Sequence, residues 1–241
     1  MSQKKDFYSN GKGDRLIDPL FYPKAIRLFL EDEQRLLEQL TESFDLLIEV
    51  GCMHGRYLDW AARHGKSYVG IDVVKRYVDA GVKNVGELKL PRDRYRFVLG
   101  GAEDIATIIR PSDFGVDPGR CLALFPFNSF GNMPMLRPVI RSLAKSSLPF
   151  FISSYRISQK ATECRRGYYR NCGYRGIKTL RSRRGVRFTS PDGLSTVAYD
   201  PAFLREVFIA NNTVAKPVPF SQIGMAYLSA GLLATIKKRK V

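Results

Sequence analysis

The chain has 241 residues, 44% apolar and 26% charged, enough apolar material to close a sizeable core. Its 39 Lys and Arg against 23 Asp and Glu leave a net charge of +16. No apolar stretch reaches the ~20 residues of a membrane helix, Met1–Asp6 lacks the apolar run of a secretory signal, and four cysteines in no CxxC or Cys/His spacing argue against a disulfide framework or a zinc site. The expectation is a soluble protein of a reducing compartment, the cytoplasm.

Residues 1–15 are polar, with Gly11 and Gly13, and read as a flexible N-terminus. Between Pro23 and Leu40, apolar residues at 26, 29, 30, 37 and 40 follow the helical period. Leu46–Val50 is a short apolar run ending at Gly51, the pattern of a buried parallel strand. A helix over Arg56–His64, a strand over Ser67–Ile71 and a helix over Val73–Ala80 follow. Further strands are expected at Arg94–Leu99, Cys121–Phe125 and Leu148–Ser153, with a helix at Pro134–Lys145. This alternation predicts a doubly wound, mainly parallel α/β sheet with helices on both faces. Beyond it, Ile177–Arg181 and Val186–Ser190 read as a β-hairpin insertion after the fifth strand. Asp200 caps a helix that Pro201 opens and Ala210 ends. Thr213–Val218 and Gly224–Ile236 read as two terminal strands, seven in all, with no linker that would divide residues 1–241.

The positive charge is regional. Arg156–Arg187 carries nine Arg and two Lys against one acid, Glu163, and Lys237–Lys240 adds four more charges. Tyr168, Tyr169 and Tyr174 lie among those arginines. The pattern fits either stacking on a flat group beside an anion or a solvated hairpin whose Arg stems cover apolar surface.

The sharpest feature is Glu49-Val-Gly-Cys-Met-His-Gly55, after a strand and before a helix, with Asp72 closing the next strand. Glycines in such a turn let a ligand approach the backbone, and an acid ending the second strand can take both hydroxyls of a ribose. The spacing is neither G-x-G-x-x-G nor a P-loop. Together with Tyr68–Asp72, Gly101–Ile105 and Leu124–Asn132, this turn resembles four successive motifs of the class I, Rossmann-like S-adenosylmethionine-dependent methyltransferases, small-molecule branch. The resemblance implies S-adenosylmethionine as cofactor and an antiparallel terminal strand pair. It implies that Glu49, Gly51 and Gly55, with Cys52 and Met53 between them, shape the pocket for methionine and ribose. Asp72 would hold the ribose, Ala102 and Glu103 would border the adenine, and Phe125, Phe127 and Asn128 would stand beside the sulfonium. Met53 departs from the family, which carries glycine there.

Methyl transfer needs alignment more than a base. Asn128 and Tyr155 are therefore the candidates for positioning the acceptor. Asn132, Arg156, Arg165, Arg166, Arg170 and Arg175 are the candidates for binding it. The basic segment 156–195 is expected to cover the substrate and to select a small anionic acceptor, free or tethered to an acidic carrier protein. The loop after the fourth strand lacks the Asn/Asp-Pro-Pro-Tyr of base-amine methylation and a Pro-Cys nucleophile, so RNA ranks behind a metabolite. RNA methylation and a catalytically inactive binding protein of the same fold remain as alternatives.

Overall fold

The computed structural model describes residues 7–233. Its strands are β1 (Leu46–Val50), β2 (Ser67–Asp72), β3 (Tyr95–Leu99), β4 (Cys121–Phe125), β5 (Phe150–Tyr155), β6 (Lys178–Ser182), β7 (Gly185–Thr189), β8 (Ser195–Tyr199), β9 (Ala215–Pro219) and β10 (Gly224–Ser229). The longer helices are α1 (Lys24–Glu38), α2 (Leu58–Arg63), α3 (Lys75–Glu87), α4 (Leu136–Ser146), α5 (Gln159–Asn171) and α6 (Pro201–Ile209).

Seven strands form one sheet in the order β3-β2-β1-β4-β5-β10-β9. β1 to β5 run parallel, while β10 is antiparallel to both neighbours. β1, β2 and β4 are buried along their whole length, as befits central strands covered on both faces. The pleat sends Ile48, Val50 and Phe125 to one face, against α4 and α6. It sends Leu47, Leu122 and Leu124 to the other, against Leu36 and Leu37 of α1 and Trp60 of α2. Strand order reverses between β1 and β4, which places a ligand crevice at their C-terminal ends.

Three departures from the sequence reading matter. The basic segment is not a hairpin alone: it begins with α5, capped by Ser158, and adds β8 to make a three-stranded antiparallel sheet, β6-β7-β8. α5 buries Ala161, Arg165, Tyr168 and Tyr169 and exposes Arg170, a helical stripe hidden in the sequence by the arginine count. Residues 7–15 are packed, not loose. Phe7 is buried, and Leu16 and Tyr22 join it in a cluster with Tyr168, Tyr174 and Phe188. The last strand stops at Ser229, where the chain turns helical; residues 234–236 and the Lys237–Lys240 tail lie outside the described residues. Among the described residues no helix is long and apolar enough to cross a membrane.

Candidate functional site

The turn after β1 is built on left-handed backbone. Gly51 has φ +73°, and a Cβ there would lie 2.9 Å from the Cβ of Ser129. Gly55 has φ +93°, and a Cβ there would meet the Phe97 ring at 2.7 Å. Met53 also takes positive φ, +53°, which an unbranched side chain enters only at a cost of about 1–2 kcal/mol. What holds it is a hydrogen bond: the Met53 N–H donates to Asp72 Oδ2 at 2.9 Å, and the Val74 N–H donates to Oδ1 at 2.9 Å. Burial pushes the Asp72 carboxyl above its ordinary value, against the pull of those amide donors.

Glu49 stands behind this turn. It is fully buried; its Oε2 accepts from the Tyr57 N–H (3.0 Å) and the Tyr68 hydroxyl (2.6 Å), and its Oε1 has no partner. Burial drives its pKa up to about 7, although Tyr68 and Tyr57 both favour the charged form. Tyr57 continues the network, its hydroxyl donating to Glu33 Oε1 at 2.7 Å. The other Glu33 oxygen accepts the N–H of Phe127 at 2.8 Å.

Phe127 and Asn128, just after β4, are two consecutive non-glycine residues with positive φ, +47° and +60°. Asn128 is anchored on both sides. Its Nδ2 donates to Thr196 of β8 (2.9 Å), and its Oδ1 accepts from Ser154 of β5 (2.7 Å). A buried amide satisfied in this way is a clamp between strands.

A cavity of about 620 Å³ opens where β1, β2, β4 and β5 end. Among the candidates from sequence, Gly51, Cys52, Met53, Asp72, Ala102, Glu103, Phe127, Asn128, Asn132 and Tyr155 line it. Glu49, Gly55 and Phe125 do not; Phe125 packs inside the core against Phe130. Nor do the arginines. Arg156 turns to a separate hollow beside Tyr199 and Met225, and Arg166 donates to Thr179 at 3.0 Å. Arg170 and Arg175 are exposed outside the cavity. Arg165 is fully buried behind the wall, its guanidinium 4.8 Å from the ring centres of Tyr155 and Phe188. These arginines, the candidates for binding the acceptor, do not line the cavity: α5 presents tyrosines to it, Tyr168 and Tyr169, and arginines to solvent or to the interior.

Sequence reading missed the cover. Tyr8, Leu16, Ile17 and Pro19 close one side of the cavity. Tyr168 donates its hydroxyl to the Leu16 carbonyl, Tyr174 donates to the Lys12 carbonyl (2.6 Å), and Asp14 accepts from Arg76 (3.0 Å) and from Tyr77. The Tyr8 hydroxyl bonds the Asn132 side chain. Arg56 was also missed. It is the one Lys or Arg among the described lining residues, and it donates to the Tyr22 hydroxyl at 3.0 Å. No cluster of His, Cys, Asp and Glu suited to a metal occurs among the described residues.

No protein-family model matches the chain. Two Methanocaldococcus jannaschii proteins, provisionally named ribosomal RNA large subunit methyltransferases, are 31% identical over 74 residues and 29% over 93. Those segments are 30% and 38% of this chain, and the chain spans only 19% and 24% of those proteins' length. Solved structures match over nearly the whole chain. A SAM-dependent methyltransferase from Aquifex aeolicus aligns with a TM-score of 0.56 at 15% identity, covering 90% of this chain and 96% of its own. The Burkholderia thailandensis 1,6-didemethyltoxoflavin-N1-methyltransferase, with bound S-adenosylhomocysteine, gives 0.57 at 12%, covering 94% and 86%. Magnesium protoporphyrin IX methyltransferase from Synechocystis, with bound SAM, gives 0.57 at 12%, covering 95% and 98%. With the strand order, the glycine turn and Asp72 in place, the chain has the fold of the class I S-adenosylmethionine-dependent methyltransferases.

Proposed function

We propose that this protein transfers a methyl group from S-adenosylmethionine to N or O of a small molecule. The observation that carries the reading is the convergence of the Gly51–Gly55 turn, Asp72 and the Phe127–Asn128 loop on one cavity. S-adenosylmethionine supplies an electrophilic methyl whose bonding pair stays with sulfur. The chain's residues suit it. Asp72 offers a carboxylate to the ribose hydroxyls, Arg56 a cation to the methionine carboxylate, and Ala102 and Glu103 a border for the adenine. Gly51 leaves the backbone open beside them, and Met53 keeps the backbone that glycine would adopt. Glu49 acts from behind, by holding the turn.

On the acceptor side, Tyr155 reaches the cavity with a hydroxyl that burial keeps protonated, and its hydrogen has no partner among the described residues. Tyr155 orients the acceptor, and Asn128 fixes the loop on which it rests. The test is calorimetry with S-adenosylhomocysteine. Wild type binds it; Asp72→Asn, which keeps one acceptor oxygen for the turn, binds it roughly 10- to 100-fold more weakly. Absence of binding to wild type would refute the reading.

A second reading, methylation of RNA, is favoured by the exposed cations Lys178, Arg181, Arg184 and Arg187 on the smaller sheet and by the partial match to proteins named for ribosomal RNA. An acidic carrier protein is the other partner that this face suits. RNA affinity that survives physiological salt and falls steeply above it would favour the RNA reading.

A further inference from the structure

The walls of the cavity also speak to what the acceptor is. We propose that it is a small, planar, uncharged aromatic molecule whose oxygen or ring nitrogen accepts a hydrogen bond from Tyr155. This rests on the methyltransferase reading and names its substrate class.

Phe127, Tyr155, Tyr168 and Tyr169 wall the side away from Asp72, and Tyr8 closes it from the N-terminal segment. Their rings meet in tilted and edge-on pairs, with centroids 5.2 Å apart for Tyr168 and Tyr169 and 5.9 Å for Phe127 and Tyr168. Such a wall suits a flat, apolar body. The cavity of about 620 Å³ must hold the cofactor as well, so that body is small.

Beside the cofactor, the described lining leaves an acceptor's own charge, of either sign, without a partner. An anionic acceptor buried here needs a cation to pair with, and Arg56, the one Lys or Arg among the described lining residues, is the cation assigned above to the methionine carboxylate and also bonds Tyr22. The carboxylates of Asp72 and Glu103 in the same lining add repulsion. A cation would ordinarily welcome an aromatic cage. Here the cage is already backed by cations. Arg165 lies 4.8 Å behind Tyr155 and 5.8 Å behind Tyr169, and Arg56 covers Phe127. Among the described residues Arg165 has no carboxylate partner, and its second terminal nitrogen has no hydrogen bond. Its undiminished charge repels a second cation and polarises the Tyr155 hydroxyl toward donation.

The hydrogen-bonding capacity left over points the same way. Asn128 gives one amide hydrogen to Thr196 and takes the Ser154 hydroxyl on its oxygen, Ser129 donates to the Val50 carbonyl (2.9 Å), and Tyr168 donates to Leu16. Tyr155 keeps its hydrogen, and Tyr169, accepting from Arg165 at 3.3 Å, keeps its own. The lining thus offers phenolic donors to an acceptor atom.

Calorimetry on the full chain tests this in two arms. The first measures S-adenosylhomocysteine; no binding there removes the methyltransferase reading, and this inference with it. The second, with S-adenosylhomocysteine saturating, compares three probes: 2-naphthol, the anion 6-hydroxy-2-naphthoate and the cation trimethylanilinium. The expected result is 2-naphthol binding at least about tenfold tighter than either ion, weakened about five- to tenfold by Tyr155→Phe with S-adenosylhomocysteine affinity unchanged. Tyr8→Leu, which removes a cover ring, weakens it independently. The inference alone is overturned if S-adenosylhomocysteine binds while either ion matches or beats 2-naphthol. It is equally overturned if 2-naphthol does not bind, or binds both variants as well as wild type.

Discussion

Glu33, in the middle of α1, accepts the main-chain N–H of Phe127 at 2.8 Å across 94 residues of sequence. Its other oxygen takes the Tyr57 hydroxyl, and Tyr57 in turn donates its N–H to Glu49. One buried carboxylate thereby ties the loop after β4 to the turn after β1, the two segments that must keep register across the cavity. Burial raises the Glu33 pKa, while Phe127, Tyr57 and Ser153 favour the ion. Glu33→Gln sets an NH2 group against one of these donors. It should lower stability by about 1–3 kcal/mol in urea titration, with a matching loss of S-adenosylhomocysteine affinity.

Met53 allows backbone strain to be separated from side-chain loss. Both Met53→Gly and Met53→Ala remove the thioether, but only glycine occupies φ +53° without a Cβ clash. Met53→Gly should be the more stable of the two by about 1 kcal/mol, measured by thermal or urea unfolding.

Glu49 makes stability depend on pH with a definite sign. Its pKa rises on folding from an ordinary 4.5 to about 7, because burial outweighs Tyr68 and Tyr57. A raised carboxyl favours the folded state below the unfolded pKa, and that contribution is lost as pH climbs to about 7. Its slope is at most roughly 1.4 kcal/mol per pH unit. Glu49→Gln should flatten the stability profile between these two pH values, as followed by urea midpoints. An unchanged slope would assign the titration to another group.

The arginines of α5 divide by environment. Arg170 is exposed, and Arg170→Gln should change stability by no more than about 0.5 kcal/mol. Arg165 is enclosed by Tyr155, Tyr169 and Phe188, and Arg165→Ala should cost about 2–4 kcal/mol through the void it leaves. Arg165→Met fills that space without stranding a buried carboxylate, so it should recover most of the loss.

Asp14 is a charged member of the polar latch that holds the N-terminal cover. Although burial works the other way, hydrogen bonds from Arg76 and Tyr77 hold the Asp14 carboxyl below the usual range. Asp14→Asn should speed amide hydrogen exchange across residues 8–20 and leave β1 and β4 as protected as in wild type.

The large sheet was legible because its signals are local. Leu46–Val50 and Cys121–Phe125 are apolar runs closed by turn residues, and Asp200-Pro201 announces a helix start. The part of the cavity wall made by Gly51–Met53 and Asp72 was legible for the same reason, since these residues lie at strand ends. The rest was not. It is assembled from Tyr8, Tyr77, Phe127, Tyr155, Tyr168 and Thr196, which come from six separate segments and share no spacing. Charge counting drew attention to the arginines of α5, whereas the helix turns the tyrosines inward. Glu33 gave no signal either. In a helix of alternating charge it looks like one more solvated acid, and only the fold shows it to be fully buried.

The cover's position bears on speed. Tyr8, Leu16, Ile17 and Pro19 form wall rather than rim, so a ligand seated in the cavity would lie against the N-terminal segment. Arg76, which holds Asp14, follows Asp72 by four residues, so the latch and the Asp72 carboxylate belong to one stretch of chain. On the methyltransferase reading, this cover has to lift for product to leave, and turnover that falls as viscogen is added is the expected outcome.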